Sequence, residues 1–130
     1  MNVLVLPTNR PDRASEFLEA WRPFPWDRVI VVEDAPEVSV PGSGDTVVRY
    51  CWRDIDAMIE HPEIISRRDS AIRAFGFWKA WQMGADYIFT LDDDCFPVSH
   101  DIVDQHIRNI EATPRWGTTV RQLRVRGLPV

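Results

Sequence analysis

The sequence predicts an α/β domain built around a mostly parallel sheet with helices on its faces. Short apolar runs, such as residues 3–6 and 29–32, alternate with longer segments whose apolar residues recur at helical spacing. These runs are almost free of polar residues, which is typical of strands that are buried on both faces of a parallel sheet. At 130 residues the chain has the size of one domain, and we expect residues 1–130 to fold as one.

The first half of the chain carries five predicted elements, separated by proline and glycine. Pro7 is expected to end the first strand and Pro11 to open the first helix, because proline fits the first turn of a helix. Two prolines and two glycines make residues 36–45 a loop. The elements are a strand at 3–6, a helix at 11–21, strands at 29–32 and 47–51, and a short helix at 55–59.

The second half is dominated by one long predicted helix over residues 69–83. Its apolar groups point in nearly every direction, so we expect it to be buried all round. Gly84 fits its C-terminal cap. A strand at 87–91 and a helix at 101–111 follow, with a further strand near 117–120.

Charge is distributed unevenly along the chain and excludes some partners. The net charge is −5, and all four charged side chains after residue 114 are arginines, so the body is acidic and the tail basic. Binding to duplex nucleic acid needs a basic face, so we expect no nucleic-acid partner. No apolar run reaches the roughly 20 residues of a membrane span, and the start of the chain lacks a basic, apolar leader. We therefore expect a cytoplasmic protein in which Cys51 and Cys95 stay reduced.

Polar residues directly follow three of the predicted strands. They are residues 7–10, 33–34 and 92–94. In parallel sheets, ligands bind beyond the carboxyl ends of the strands. The sequence therefore places its candidate site where these three segments meet.

Asp92, Asp93 and Asp94 are the sharpest feature of the sequence. Three adjacent carboxylates repel one another, and a bound cation offsets that cost. Oxygen ligands suit magnesium, manganese or calcium, which commonly bridge to phosphates. The alternative is a solvated acidic turn, but the position directly after an apolar strand favours a metal site.

Asp69 and Arg73 are four residues apart and share one face of the long predicted helix. Asp69, with Ser70, also stands where a helix N-cap belongs. In one interpretation Arg73 holds a diphosphate while Asp69 fixes its orientation. In the other, the two form an ordinary ion pair on the helix surface, and the spacing alone favours neither.

Several longer segments of the chain resemble segments of one known family. Nearly the whole chain carries, in the family's order, the segments LPTNR, AWRPF, VIVVED, DSAIRAFGFWKA, DYIFTLDDDCF, DQHIRNI and VRGLP. These resemble the reversibly glycosylated polypeptides, the UDP-L-arabinopyranose mutase family. The resemblance implies a GT-A type, Rossmann-like glycosyltransferase fold with a DxD-type metal site, of which this chain is the nucleotide-binding half.

The resemblance also implies roles for the candidate residues. It places a uridine against the first two strand ends, the nucleotide sugar against the start of the long helix, and manganese or magnesium at the aspartates, facing the diphosphate. The matching residues are Pro7, Thr8, Arg10 and Asp34 for the uridine, Asp69 and Arg73 for the nucleotide sugar, Asp92 and Asp93 for the nucleotide, and Asp92 and Asp94 for the metal.

Arg126, in the VRG element, matches the arginine that becomes glycosylated in the family, which makes it the catalytic candidate. The implied reaction is metal-assisted release of UDP, opening and reclosure of the arabinose ring from pyranose to furanose, and return of UDP. A guanidinium stays protonated near neutral pH. The alternative is therefore that Arg126 holds phosphate or the charge of an intermediate.

Members of this family continue well beyond the VRG element, whereas the present chain stops at Val130. Three explanations stay open: a fragment, a naturally short nucleotide-binding half, or a part that needs a partner. We therefore expect either a metal-dependent UDP-sugar mutase or glycosyltransferase, or a non-catalytic nucleotide-binding or assembly module. The second function would involve a homo-oligomer or association with a full-length homologue.

Overall fold

The structure is a computed structural model that describes residues 1–42 and 44–112. The chain divides into two compact units, Met1–Pro97 and Val98–Val130. The strands are β1 (Asn2–Thr8), β2 (Arg28–Glu33), β3 (Val47–Tyr50) and β4 (Tyr87–Thr90). The helices are α1 (Pro11–Trp21), α2 (Trp52–Met58) and α3 (Arg73–Gln82) in the first unit and α4 (Ile102–Glu111) in the second.

The first unit is built on a four-stranded sheet in the order β3-β2-β1-β4. All neighbouring strands are parallel. The two central strands, β1 and β2, are buried along almost their whole length. This confirms the α/β domain with a mostly parallel sheet that the unbroken apolar runs predict, and the Rossmann-like arrangement that the family resemblance implies. Because the strands are parallel, their carboxyl ends reach the same edge of the sheet.

The core of the first unit lies on both faces of the central strands. On one face, Val5 and Val32 belong to a buried cluster with Phe75 of α3. Side chains alternate between the faces of a strand, and Leu4 on the opposite face lines a small space together with Trp21 of α1. Helices therefore cover the sheet on both sides, as predicted.

The first strand runs through Pro7 and ends at Thr8, two residues later than the sequence predicts. The carbonyl of Val5 accepts the N–H of Leu91 on the β4 side, whereas the carbonyl of Thr8 accepts the N–H of Asp34 on the β2 side. Backbone groups alternate in direction, so Pro7 faces the β4 side, beyond the last residue of β4. Its missing N–H therefore removes no bond from the sheet.

The long predicted helix forms in two parts. Ser70–Ile72 is a 3₁₀ turn, and α3 continues from Arg73 to Gln82. Gly84, with a φ of +77°, follows its end as predicted. The expectation of burial on every side is wrong, because the sheet covers only one face of the helix and Trp81 is 72% exposed.

The other predicted elements in the described part of the chain are confirmed to within a few residues. The strand predicted near 117–120 lies outside the described residues. Cys51 and Cys95 are both free thiols. None of the helices in residues 1–42 and 44–112 is long and apolar enough to cross a membrane.

Gly76 allows α3 to approach the sheet closely. A Cβ atom there would collide with Cγ1 of Val5 and lie 3.1 Å from Cγ2 of Val32. We expect Gly76→Ala to lower the free energy of unfolding by about 1–2 kcal/mol, because overpacking outweighs the gain of about 1 kcal/mol in helix propensity. Urea denaturation measures this change.

The control for this variant is Ala74→Ser, at an exposed position of the same helix. It should change the free energy of unfolding by no more than about 0.5 kcal/mol. If Gly76→Ala were as stable as the wild type, the helix would be able to move off the sheet without cost, and the packing argument would be wrong.

Candidate functional site

A cleft opens at the carboxyl edge of the sheet in the first unit. Its volume is about 290 Å³, near the lower end of the range for small-molecule sites. The segments after β1, β2 and β4 meet there, where the sequence places the candidate site. All nine candidate residues in the described part of the chain line this cleft: Pro7, Thr8, Arg10, Asp34, Asp69, Arg73, Asp92, Asp93 and Asp94. Arg126 lies outside the described residues.

Asp93 is the buried carboxylate of the cleft, with 3% of the residue exposed. Its Oδ2 accepts the Thr8 hydroxyl at 2.6 Å and the Nε of Arg10 at 3.2 Å, and its Oδ1 accepts the Nη2 of Arg10. Thr8 in turn accepts the N–H of Arg10 at 3.0 Å. The hydrogen bonds to Asp93 and the charge of that carboxylate raise the pKa of the Arg10 guanidinium above its ordinary value. The end of β1 is thereby tied to the turn after β4.

Asp92 and Asp94 flank the buried carboxylate and remain exposed, at 60% and 61% of their side-chain surface. Asp92 Oδ1 accepts the Nη2 of Arg73 at 2.6 Å. Asp94 Oδ2 lies 3.7 Å from the Nη2 of Arg10. Each outer aspartate therefore faces one arginine of the cleft and still has carboxylate surface open to solvent.

Asp69 is the N-cap of the 3₁₀ turn that precedes α3. Its Oδ1 accepts the N–H of Ala71 at 2.7 Å, and its Oδ2 accepts the hydroxyl of Ser66. The capping role expected from the sequence is confirmed. The surface ion pair with Arg73 is not formed, because Arg73 turns to Asp92 and to the carbonyl of Ser70.

Asp34 follows β2 and is held at both its backbone and its side chain. Its N–H donates to the carbonyl of Thr8 at 2.7 Å. The indole Nε1 of Trp52, the first residue of α2, donates to its Oδ1 at 2.7 Å. Trp52 does not line the cleft itself, and its contact with Asp34 has no signal in the sequence, because the two residues are 18 positions apart.

Arg68 also lines the cleft and escapes sequence analysis. Its φ is +63°, which is uncommon for a residue other than glycine. The residue type gives no indication of this backbone conformation. The proximity of Asp69 in the sequence is the one clue that could have suggested Arg68 as a residue of the cleft.

The sequence of the chain matches one family model over most of its length. The profile described as "Reversibly glycosylated polypeptide" matches residues 2–123. The chain belongs to the reversibly glycosylated polypeptide family. The family resemblance that the motifs indicate is thereby confirmed.

Relatives of this member of the reversibly glycosylated polypeptide family are longer proteins. The chain is 36% identical to "Probable UDP-arabinopyranose mutase 2" of Solanum tuberosum, over 90% of this chain and 34% of that protein. It is 37% identical to "UDP-arabinopyranose mutase 1" of Oryza sativa subsp. japonica, over 82% of this chain and 30% of that protein. It is 36% identical to "UDP-arabinopyranose mutase 1" of Arabidopsis thaliana, over 82% of this chain and 31% of that protein. The chain thus spans about a third of the length of these relatives.

The cleft of this reversibly glycosylated polypeptide could hold a divalent cation whose coordination shell is completed by a bound ligand. No group of three or more His, Cys, Asp or Glu side chains is arranged to hold a metal within residues 1–42 and 44–112. Magnesium, however, commonly takes one or two carboxylates and completes its shell with phosphate oxygens and water. The exposed pair Asp92 and Asp94 fits that pattern. Asp93 does not, because its oxygens face Thr8 and Arg10.

Replacing Asp93 should loosen the whole edge of the sheet. Asp93→Asn removes the charge that Arg10 and Thr8 both face, and we expect the free energy of unfolding to fall by about 1–3 kcal/mol, since Arg10 itself is half exposed. Asp94→Asn, at an exposed position, is the control and should cost less than about 0.5 kcal/mol. Equal urea midpoints for the two variants would contradict the organising role of Asp93.

The cap of the 3₁₀ turn should titrate in an acidic range. The hydroxyl of Ser66 and the N–H of Ala71 lower the pKa of Asp69 below 3.8. Its stabilising contribution is therefore fully present above that value and is lost as the pH falls through the lowered pKa. The carboxyl carbon resonance of Asp69 should show a midpoint below 3.8, and Ser66→Ala should raise it. An unchanged midpoint in Ser66→Ala would contradict the assigned cause.

Proposed function

We propose that this chain binds a UDP-sugar together with a divalent cation in the cleft and serves the interconversion of UDP-arabinopyranose and UDP-arabinofuranose. One observation carries the proposal: three strand ends bring aspartates and arginines to one edge of a parallel sheet, in a chain whose relatives are named UDP-arabinopyranose mutases. Such an edge is the usual nucleotide site of open α/β sheets.

The ends of β1 and β2 suit the uridine. Pro7, Thr8 and Arg10 form one wall of the cleft, and the bonds to Asp93 hold that wall in place. Asp34 offers a carboxylate oxygen to an N–H of the base. The fixed backbone of Asp34, bonded to Thr8, supports this assignment.

Arg73 and Arg10 are the cations that suit the diphosphate. Both already bind carboxylates within the cleft, Arg73 that of Asp92 and Arg10 that of Asp93. Phosphate oxygens accept charge-assisted hydrogen bonds from a guanidinium as well as a carboxylate does. The Arg10 side chain is the more exposed of the two, at 51% against 26% for Arg73. Arg73 nevertheless exchanges its partner more easily, because Asp92 is exposed whereas Asp93 is buried. We assign Asp69 to holding the turn that positions Arg73.

Asp92 and Asp94 would hold manganese or magnesium. When bound, the ion neutralises charge on the departing diphosphate. Arg73, once released from Asp92, is free to bind the same diphosphate from the α3 side. The exposure of both carboxylates supports this division of roles.

The proposed reaction leaves the atoms of the substrate unchanged in number. The bond between the anomeric carbon and the diphosphate breaks, and its electron pair leaves with UDP. The 4-hydroxyl oxygen then bonds to the anomeric carbon and loses its proton, while the bond from that carbon to the oxygen on C5 breaks and this oxygen takes up a proton. UDP finally forms its bond to the anomeric carbon again. We assign the holding of UDP during this exchange to the residues that line the cleft. For Arg126 we propose contact with the sugar or with the charge of the intermediate.

The proposal predicts stabilisation by UDP that depends on a divalent cation. At a UDP concentration of about 100 Kd with Mn²⁺ or Mg²⁺, the melting temperature should rise by about 5–10 °C. Without the cation, or in Asp94→Asn, the rise should be lost, because one of the two exposed carboxylates is missing. Differential scanning fluorimetry measures these shifts.

The matched control is Asp45→Asn, an exposed aspartate just before β3, at the opposite end of the sheet. It should respond to UDP and the cation as the wild type does. Equal stabilisation by UDP with and without the cation would contradict the metal site, and no response to UDP would contradict the proposed function. Chromatographic separation of UDP-arabinopyranose and UDP-arabinofuranose after incubation tests turnover separately.

A further inference from the structure

Asp34 is held by a side chain that lies outside the cleft. The indole Nε1 of Trp52 donates to its Oδ1 at 2.7 Å, while the backbone N–H of Trp52 donates to the carbonyl of Ala35 at 2.9 Å. The start of α2 is thus bonded twice to the segment after β2. An indole N–H is a donor only and a carboxylate is an acceptor only, so this bond has one possible direction.

Trp52 is also held by a contact with the face of its indole ring. The guanidinium carbon of Arg67 lies 5.1 Å from the centroid of its ring, within the range of a cation–π contact. Arg67 is held there by an ion pair with Asp56, which lies one helical turn after Trp52 on α2. The indole therefore has a defined orientation before any ligand binds.

We propose that Trp52 is a positioning residue that sets which nucleobase the cleft accepts. Its bond occupies Oδ1 of Asp34 and so fixes the plane of the carboxylate, which leaves Oδ2 as the acceptor for a ligand. A fixed acceptor favours a base whose ring nitrogen carries a hydrogen, as N3 of uracil does. It disfavours a base whose ring nitrogen carries a lone pair, as N3 of cytosine does. This inference rests on the proposed uridine site.

The bond also makes Asp34→Asn an informative variant. The indole still needs an acceptor, so the amide oxygen should stay with Trp52 and the amide NH₂ should face the cleft. The cleft then offers a donor where it offered an acceptor, and the preferred base changes from uracil to cytosine. Without the indole, the amide can turn either way and no preference is imposed.

The test compares binding of UDP and CDP, each with Mn²⁺, by isothermal titration calorimetry on the full 130-residue chain. The wild type should prefer UDP. Trp52→Phe should lower that preference roughly tenfold, the size of one hydrogen bond to a charged group. Asp34→Asn should prefer CDP, and the double variant should show no preference. Trp81→Phe, at a tryptophan that is 72% exposed, is the matched control and should behave as the wild type.

The outcomes separate this inference from the function on which it rests. A wild type that binds neither nucleotide overturns the proposed function. A wild type that prefers UDP, together with an unchanged preference in Trp52→Phe, overturns the role of Trp52 alone. Should Trp52→Phe fail to fold, Asp34→Asn decides, because it keeps the indole bond and changes only the group presented to the base. If Asp34→Asn still prefers UDP, the inference is wrong.

Discussion

The cleft depends on one buried carboxylate, that of Asp93. It accepts Thr8 and Arg10 from the end of β1 and so joins the two strands that bound the cleft on one side. A buried charge is tolerated only when it is paired and hydrogen-bonded, which leaves Asp93 little freedom to move. With Asp93 turned into the protein, its neighbours Asp92 and Asp94 remain on the surface of the cleft. One inward carboxylate thereby determines where the two outward ones lie.

The charge balance of the cleft refines the argument for a metal. From the sequence, the repulsion among three aspartates implies a compensating cation. In the structure, Arg10 and Arg73 already supply positive charge within hydrogen-bond distance of two of them. Repulsion alone therefore no longer requires a metal. The stronger support is the pair of exposed carboxylates, which resembles a site that a diphosphate would complete.

Much of the fold and the location of the cleft could be predicted from the sequence, because unbroken apolar runs report parallel strands and polar residues mark their ends. Details set by packing could not. Pro7 stays in its strand because the neighbouring strand has already ended. Trp81 is exposed because none of the described residues of the first unit covers that side of α3. The positive φ of Arg68 is not signalled by its residue type, and the bond from Trp52 to Asp34 arises where two distant segments meet. Local residue patterns carry no record of such meetings.

The bond between Thr8 and Asp93 also affects how the protein folds, because it joins residues 85 positions apart. Contacts between residues so distant in sequence slow folding, since the chain must be ordered before they can form. During synthesis, the end of β1 leaves the ribosome early. Thr8 cannot bond to Asp93 until the turn after β4 has also left the ribosome. The cleft and the finished sheet therefore form at the same stage of folding. The cleft is complete only once β4 and the turn after it have joined the first strand.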